Sequence, residues 1–464
     1  MTRGGTEIVA EVRCDPAAAQ VFEHGWQSWS PTALYPLTAR PARPRRTRWE
    51  TLCYRPGVSA PAGAFQGEGL LALVPGDGTV RMWAAPRPDR SVLSIGAGLD
   101  GDRVLVRADG DVEEFVYHHD HLGTALGAWA EEVAARVGVP ELQPVPPAWC
   151  SWYCYWGEVT QADIEDELEL IEKLDLGVRI VVVDDGHQAE IGDWTERSGR
   201  FGPLAEMGSR IREAGKRMGV WTAPFLVGAK SRVAREHPEW LVGDGFAGHH
   251  WDQDLHALDV THPEAADHLV EVFRRFRREG CDFFKIDFLY AGALEGRRHG
   301  DASGIDAYRE GLRLIRAGVG PDATLLGCGA PILPSIGLVD AMRTSPDTGP
   351  RYEPRDDDLS QPAVRSALLT GRARAWTHGR WWVHDPDCLI VRPEVERREV
   401  WARHVEGAGG FVSSSDPLDA LDEWGLETTR RLLRPATTQP LRGEGTRRNM
   451  LGGTTLEPGE EEEP

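Results

Sequence analysis

The sequence predicts an α/β fold: a (β/α)₈ TIM barrel preceded by an N-terminal β-sandwich domain and followed by a reduced C-terminal region. Two patterns favour this fold class. Short Val- and Leu-rich segments separated by turn residues occupy the first 140 residues, and from Trp149 eight apolar segments alternate with amphipathic helices. We therefore predict domains at 1–140, 141–418 and 419–464.

The N-terminal region shows the pattern of short antiparallel strands. Turn signals recur about every ten residues, and the apolar segments between them include GLLALVPG, TVRMWAAP and DRVLVRADG. The segment ELQPVPPAW, which contains three prolines, is predicted to link this region to the barrel. No short sequence repeat is evident.

Eight segments after Trp149 are predicted to be parallel strands, and they are AWCSWY, RIVVVDD, MGVWTAPF, DFFKIDF, ATLLGCG, LVDAMRTS, RWWVHD and GGFVSSS. Several are almost wholly apolar, as expected for strands that helices cover. In QADIEDELELIEKLDLG, Thr160 is predicted to cap a helix that ends at Gly177, and in PEAADHLVEVFRRFRREG a helix is predicted from Pro263 to Gly280.

Charge and composition exclude several functions. The 464 residues carry 52 Lys and Arg against 73 Asp and Glu, a net charge of -21, which disfavours nucleic acids and anionic membranes as partners. No segment reaches the roughly 18 apolar residues of a membrane span, and the N-terminus lacks a secretory pattern. Seven widely spaced cysteines indicate reduced thiols and a cytoplasmic enzyme. The polar, acidic tail from about residue 436 is predicted to be disordered.

Polar residues lie where the predicted strands end, which is where barrel enzymes place their active sites. Strand 2 ends at Asp184-Asp185, strand 4 at Lys285-Ile286-Asp287, strand 5 at Gly327-Cys328-Gly329, strand 6 at Arg343-Thr344-Ser345-Pro346-Asp347, and strand 7 at His384-Asp385-Pro386-Asp387. A single carboxylate at such an end is often a helix cap. Carboxylates at four strand ends indicate an active site instead.

Asp287 and Asp347 are the candidate catalytic pair. Lys285 and Asp287 are two residues apart, so they point to the same side of an extended strand, and we expect the cation to keep Asp287 ionised. An ionised carboxylate in a pocket can attack an anomeric carbon. Asp347, two strands further round, can face Asp287 across the pocket, and retaining glycosidases need two carboxyl groups roughly 5 Å apart.

A metal site is the main alternative. Histidines cluster between strands 3 and 4, at positions 249, 250, 256, 262 and 268. They are predicted to lie in a loop and a helix rather than at strand ends, and no two show an HxH spacing. No Gly-rich loop has the Lys-Ser/Thr partner of a phosphate site. We therefore expect neither a catalytic metal nor a cofactor.

The strand-end motifs resemble glycoside hydrolase family 36, the bacterial α-galactosidase or melibiase family. The matching text runs from 149 to 392: WCSWYCYW, VVDDGHQAEIGDW, GVWTAPFLVGAKS, EHPEWLV, FFKIDFLYAGA, LLGCGAPILPSIGLVDAMRTSPDT and VHDPDCLIVR. The segment GWQSWS (25–30) resembles the family's β-sandwich segment beside the pocket. His187 departs from the family, which often has an aromatic residue there, and the terminal regions are short.

The resemblance implies roles for ten residues. Asp287 would be the nucleophile and Asp347 the general acid/base. Asp184 and Asp185 would bind the 4- and 6-hydroxyls of galactose, and Lys285 the 3- and 4-hydroxyls. Cys328 and Arg343 would line the side of the 2-hydroxyl, and the apolar walls would be Trp152, Trp194 and Trp221.

The expected function is therefore hydrolysis of terminal α-galactosyl residues by double displacement. The substrate would be an α-galactoside oligosaccharide or glycoconjugate. Three alternatives remain open at this point: α-N-acetylgalactosaminidase activity, galactosyl transfer to another sugar, and a catalytically silent sugar-binding protein. The sequence does not indicate the oligomeric state.

Overall fold

Two antiparallel sheets form the N-terminal region. The computed structural model describes residues 6–41, 43, 53–60, 64–118 and 121–434. The strands are β1 (Glu7–Arg13), β2 (Gln20–Glu23), β3 (Ala33–Pro36), β4 (Phe65–Glu68), β5 (Leu70–Val74), β6 (Val80–Ala84), β7 (Ser94–Asp100), β8 (Arg103–Ala108) and β9 (Glu113–Tyr117). Their orders are β1-β8-β7-β4 and β3-β2-β5-β6-β9. Side chains from both sheets share one core, which includes Leu73, Trp83, Ile95 and Val106.

Eight parallel strands form the second part of the fold. Strands β10 to β20 follow in the chain, and β13, β14 and β15 among them belong to a separate antiparallel sheet. Their bounds are β10 (Ala148–Cys150), β11 (Ile180–Val183), β12 (Arg217–Thr222), β13 (Leu226–Gly228), β14 (Leu241–His250), β15 (Gln253–Leu258), β16 (Cys281–Ile286), β17 (Thr324–Gly327), β18 (Ala341–Arg343), β19 (Val383–Asp385) and β20 (Ser413–Ser414). The parallel sheet has the order β19-β18-β17-β16-β12-β11-β10-β20. All eight predicted strands are therefore confirmed.

The two ends of the parallel sheet approach each other. The backbone N–H of Phe411, just before β20, donates to the carbonyl of His384 in β19 at 2.8 Å, and Leu389 donates to Ser413 at 2.6 Å. The sheet is therefore curled into a TIM-like barrel. Strands such as β11, whose sequence is IVVV, are buried along their whole length, because the barrel core covers one face and helices cover the other.

Helices connect the barrel strands and flank them. They are α1 (Leu122–Val137), α2 (Trp152–Tyr155), α3 (Gln161–Lys173), α4 (Leu204–Glu213), α5 (Arg232–Glu236), α6 (Pro263–Arg278), α7 (Gly304–Val319), α8 (Val364–Ala373), α9 (Arg398–Ala408) and α10 (Glu423–Leu432). Thr160 caps α3 in a capping box with Asp163, as predicted, although α3 ends at Lys173, before Gly177. The tail from about residue 436, predicted to be disordered, lies outside the described residues.

Helix α1 lies within residues 1–140, which were predicted to form a β-sandwich, and the sequence analysis did not predict this helix. Its buried face carries Leu126, Trp129, Ala130 and Val133, which recur at helical spacing. Trp129 contacts Trp381 edge to face at 5.8 Å, and the indole of Trp381 donates to the carbonyl of Ala130 at 2.9 Å. Because of these contacts, α1 belongs to the core that the N-terminal region and the barrel share.

A three-stranded antiparallel sheet extends from the barrel between β12 and β16. Its order is β13-β15-β14, so β14 and β15 form a hairpin over 241–258. This segment was predicted to be a loop. Among the described residues, no helix is long and apolar enough to cross a membrane.

Candidate active site

The predicted functional residues lie at one edge of the barrel sheet, where the parallel strands end. Asp184 and Asp185 directly follow β11, Asp287 directly follows β16, and Arg343 is the last residue of β18. Because the strands are parallel, their carboxyl ends meet at the same rim. Direct contacts then join side chains that are far apart in the sequence.

Two N–H groups hold the carboxylate of Asp287. The indole of Trp221 donates to Oδ2 at 3.1 Å, and the backbone N–H of Phe288 donates to Oδ1 at 2.7 Å. The backbone of Asp287 is tied to β12 by a bond to the carbonyl of Thr222 at 2.8 Å. Both donors hold the carboxyl group in one orientation, and a carboxylate held in this way is suited to act as a nucleophile.

Lys285 forms its ion pair with Asp184 rather than with Asp287, which corrects the expectation from the sequence. Its Nζ lies 2.8 Å from Asp184 Oδ2, and the thiol of Cys150 donates to the same oxygen at 3.2 Å. Burial opposes the charge of Lys285, but the negative charge of Asp184 is the main factor that raises its pKa overall. The alternation of side chains along a strand placed Lys285 and Asp287 on the same side. It could not show that Asp184, which follows β11 two strands away, is the carboxylate that pairs with Lys285.

Asp185 is held by a residue that the sequence analysis missed. The indole of Trp251, at the tip of the β14–β15 hairpin, donates to Asp185 Oδ2 at 2.8 Å, and Gln188 donates to Oδ1 at 2.6 Å. Burial raises the pKa of Asp185. Trp251 and Asp252 both have a left-handed backbone, with φ of 51° and 52°, which costs about 1 kcal/mol each. The contact with Asp185 helps to offset that cost.

Arg343 joins three carboxylates. Its NH1 lies 3.2 Å from Asp347, its Nε 3.0 Å from Asp385 and its NH2 2.6 Å from Asp387. Burial, and then the negative charge of Asp387, raise the pKa of Asp347 to about 7. The charge of Asp287 acts in the same direction, so the two candidate catalytic groups are close enough to interact. A carboxyl group that is protonated near neutral pH is suited to donate a proton.

The remaining predicted residues differ in their burial and in whether they contact the candidate catalytic residues. Cys328 is fully buried behind the site, and the charge of Asp287 helps burial to raise its pKa. Trp194 is also buried and supports Trp221 edge to face at 5.8 Å. Trp152 is partly exposed and contacts Trp156 at 5.0 Å. Trp221 therefore contacts a catalytic candidate directly, whereas Trp194 contacts it through Trp221.

The five histidines of the metal alternative lie on the β14–β15 hairpin and in or just before α6. His249 and His250 end β14, His256 lies in β15, His262 precedes α6 and His268 lies within it. Within the part of the chain that the structure describes, no group of three or more His, Cys, Asp or Glu residues could hold a metal ion. The expectation that the reaction needs no metal stays a prediction.

Known proteins match the chain in both sequence and structure. The family model described as Melibiase matches residues 149–291. α-Galactosidase C of Emericella nidulans is 28% identical over 145 residues, which are 27% of this chain and 19% of that protein. An α-galactosidase of Escherichia coli is 27% identical over 146 residues, which are 29% of this chain and 21% of that protein. The chain thus matches about a fifth of the length of these curated relatives.

A solved structure decides the family. The α-galactosidase TtGalA of Thermus thermophilus, in complex with p-nitrophenyl α-D-galactopyranoside, is 30% identical and covers 93% of this chain and 90% of its own, with a TM-score of 0.75. The chain belongs to glycoside hydrolase family 36. The family 36 α-galactosidase AgaA of Geobacillus stearothermophilus shares the fold, with a TM-score of 0.62, 14% identity, and coverage of 96% of this chain and 64% of its own.

In this family 36 chain, the segment GWQSWS docks beside the rim. Trp29 contacts Phe288 edge to face at 5.0 Å, and Ser28 exchanges two hydrogen bonds of 3.0 Å with Ala330, just after β17. The guanidinium of Arg374, which is fully buried, donates to carbonyl groups of Gly25, Gln27, Ser28, Ser30 and Thr344. The N-terminal region therefore packs directly against the segments that follow β16 and β17.

The departure at His187 has a structural role in this family 36 chain. The ring is fully buried, and burial lowers its pKa to about 4. Arg197 donates to Nδ1 at 3.2 Å, so Nε2 carries the proton and donates to the carbonyl of Trp221 at 2.9 Å. His187 thereby positions the strand that carries Trp221.

Proposed function

We propose that this chain hydrolyses terminal α-galactosyl residues by double displacement, with Asp287 as the nucleophile and Asp347 as the general acid/base. The different environments of these two carboxyl groups support the proposal most directly. Asp287 accepts two N–H donors that fix its position, and burial, followed by the charge of Asp387, raises the pKa of Asp347 to about 7. A carboxyl group that keeps its proton near neutral pH, facing a second carboxyl group that N–H donors hold in place, is typical of an acid and nucleophile pair.

In the proposed first step, Asp287 attacks the anomeric carbon and Asp347 protonates the departing glycosidic oxygen. The product is a β-galactosyl ester of Asp287 and a free alcohol. In the second step, Asp347 takes a proton from water, which attacks the anomeric carbon and releases α-galactose. Both steps need only these two carboxyl groups and water, so we propose no cofactor.

Asp184, Asp185 and Lys285 are proposed to recognise the hydroxyl groups that distinguish galactose. Charged groups form strong hydrogen bonds to hydroxyls, and the buried Lys285–Asp184 pair at 2.8 Å provides one donor and one acceptor side by side. The complexes of the Thermus relative with p-nitrophenyl α-D-galactopyranoside and with stachyose support this substrate class. An α-galactoside oligosaccharide or glycoconjugate would then be the natural substrate.

The side of the 2-hydroxyl is proposed to be bounded by Cys328 and Arg343. All three guanidinium nitrogens of Arg343 already contact carboxylates, which favours a role in holding the wall rigid. Trp152, Trp194 and Trp221 are proposed as the apolar walls. Domains at 1–140, 141–418 and 419–464, with a β-sandwich before a (β/α)₈ barrel, and a cytoplasmic location also remain proposals.

Substrate preference tests the proposed function. The kcat/KM for p-nitrophenyl α-galactoside is expected to exceed that for the α-glucoside by at least about 100-fold, because the equatorial 4-hydroxyl of glucose would lose its hydrogen bonds to these charged groups, at a cost of about 1.5–3 kcal/mol for each lost bond. The α-N-acetylgalactosaminide is also expected to be poor, since Arg343 and Cys328 would crowd its amide. Preference for the glucoside would overturn the roles of Asp184, Asp185 and Lys285. Preference for the N-acetyl sugar would overturn only the roles of Arg343 and Cys328.

A further inference from the structure

We propose that Asp387 is a positioning residue that keeps the acid proton on Asp347, because among the described residues Asp387 accepts four hydrogen-bond donors and Asp347 accepts one, and the two carboxyl groups share Arg343. The inference rests on the proposed function, in which Asp347 is the general acid. Asp387 would not touch the substrate in this role. It would act through Arg343 and through its own negative charge.

The carboxylate of Asp387 is fully buried and accepts four donors. Oδ2 accepts the hydroxyl of Tyr153 at 2.6 Å and the backbone N–H of Thr348 at 2.7 Å. Oδ1 accepts the backbone N–H of Cys388 at 2.6 Å and lies 2.6 Å from Arg343 NH2. The donors are one hydroxyl, two backbone N–H groups and one guanidinium nitrogen, so both carboxylate oxygens of Asp387 are fully engaged.

Asp347 has far less support for a negative charge. Its carboxyl group has one donor among the described residues, Arg343 NH1, at the longer distance of 3.2 Å. Asp385 is intermediate, with Arg343 Nε at 3.0 Å and the backbone N–H of Asp387 at 3.0 Å. The side chain of Asp347 is also 30% exposed, whereas those of Asp385 and Asp387 are buried. Of these three carboxyl groups, Asp347 is therefore the one that is accessible to a substrate.

The charges around Arg343 do not balance if all three carboxyl groups ionise. One guanidinium then faces three anions, and a neighbouring like charge disfavours ionisation. The titratable and charged groups that influence Asp347 are Asp287, Asp387, Arg343, Lys285, Tyr153 and Cys328. Among the charged ones, Asp387 is the strongest factor that raises the pKa of Asp347 after burial. The proton belongs on the carboxyl group with the fewest donors, which is Asp347.

The backbone of Asp387 is consistent with a fixed position. Its φ is 91°, a conformation that L residues rarely adopt and that persists where surrounding contacts over-determine it. The bonds from Thr348 and Cys388 supply such contacts. The bond from Thr348 also holds Asp387 next to the loop that carries Asp347.

The test is the pH dependence of kcat/KM on an α-galactosyl disaccharide, whose leaving group needs protonation. In Asp387→Asn, the alkaline limb is expected to move to lower pH by about one unit, which is about a tenfold loss on the alkaline side. Both the lost charge and the freed Arg343 would lower the pKa of Asp347. Asp385→Asn is the matched control, because Asp385 pairs with the same guanidinium of Arg343. Its alkaline limb is expected to move by less than half as much as that of Asp387→Asn.

Tyr153→Phe provides a milder second variant. It removes one donor to Asp387 but keeps the charge of Asp387 and its contact with Arg343, so we expect its alkaline limb not to move to lower pH as it does in Asp387→Asn. If Asp387→Asn lost activity equally at every pH and its alkaline limb coincided with that of the wild type, Asp387 would be only structural and the inference would be wrong. A wild-type protein that cleaved no α-galactoside would instead overturn the proposed function.

Discussion

Replacement of Asp287 with glycine is expected to lower kcat on p-nitrophenyl α-galactoside by at least about 10⁴-fold, since losses of this order follow removal of a nucleophile. Without this carboxylate no galactosyl ester can form. The cavity left by the side chain can admit azide, which should restore part of the activity and yield β-galactosyl azide. That product requires direct attack on the face where Asp287 acts.

Asp282→Asn provides a matched control for Asp287→Gly. Asp282 lies at the start of the same strand, β16, at the opposite end from the active-site rim, and its side chain is 37% exposed. Near-normal turnover is expected for this variant. Near-normal turnover in Asp287→Gly would exclude Asp287 as the nucleophile.

Replacement of Asp347 with alanine is expected to have an effect that depends on the leaving group. Glycosylation by an α-galactosyl disaccharide should slow by about 10²–10⁴-fold, because a sugar alkoxide needs a proton to depart. Glycosylation by a nitrophenyl galactoside should change much less, but hydrolysis of the ester should slow because the base is also lost. A burst of nitrophenolate and an α-galactosyl azide product in the presence of azide are expected.

The burst experiment separates the two steps for Asp347→Ala. Pre-steady-state release of nitrophenolate reports glycosylation, and the steady rate reports hydrolysis of the ester. Equal losses of the glycosylation rate on the disaccharide and on the nitrophenyl substrate would count against Asp347 as the acid. Such a result would leave the assignment of Asp287 intact.

The barrel could be predicted from the sequence because its strands are short, apolar and separated by amphipathic helices. All eight strands lie where alternation of these patterns placed them, and their polar ends meet at one rim for topological reasons. Helix α1 was missed because its sequence, LGTALGAWAEEVAARV, follows a long run of strand-like segments. Its helical spacing of Leu126, Trp129 and Val133 was a usable signal.

The partners of the site residues could not be predicted in the same way. The ion pair between Lys285 and Asp184 joins strands that are separated by a third strand. It therefore depends on where the two side chains lie along the barrel axis. Trp251 contacts Asp185 from the tip of a hairpin, and no local sequence pattern indicates that contact. Asp387 was recognised only as a carboxylate at a strand end, because its role depends on donors from Tyr153 and from other distant elements.

The most direct test of the central claim, a retaining α-galactosidase, is the anomer that first appears when the wild-type protein hydrolyses p-nitrophenyl α-galactoside. ¹H NMR spectra recorded within minutes, before mutarotation, distinguish α- from β-galactopyranose. Double displacement through Asp287 inverts the anomeric carbon twice, so α-galactose is expected first and the β anomer only later. The first appearance of β-galactose, or no release of galactose, would contradict the account.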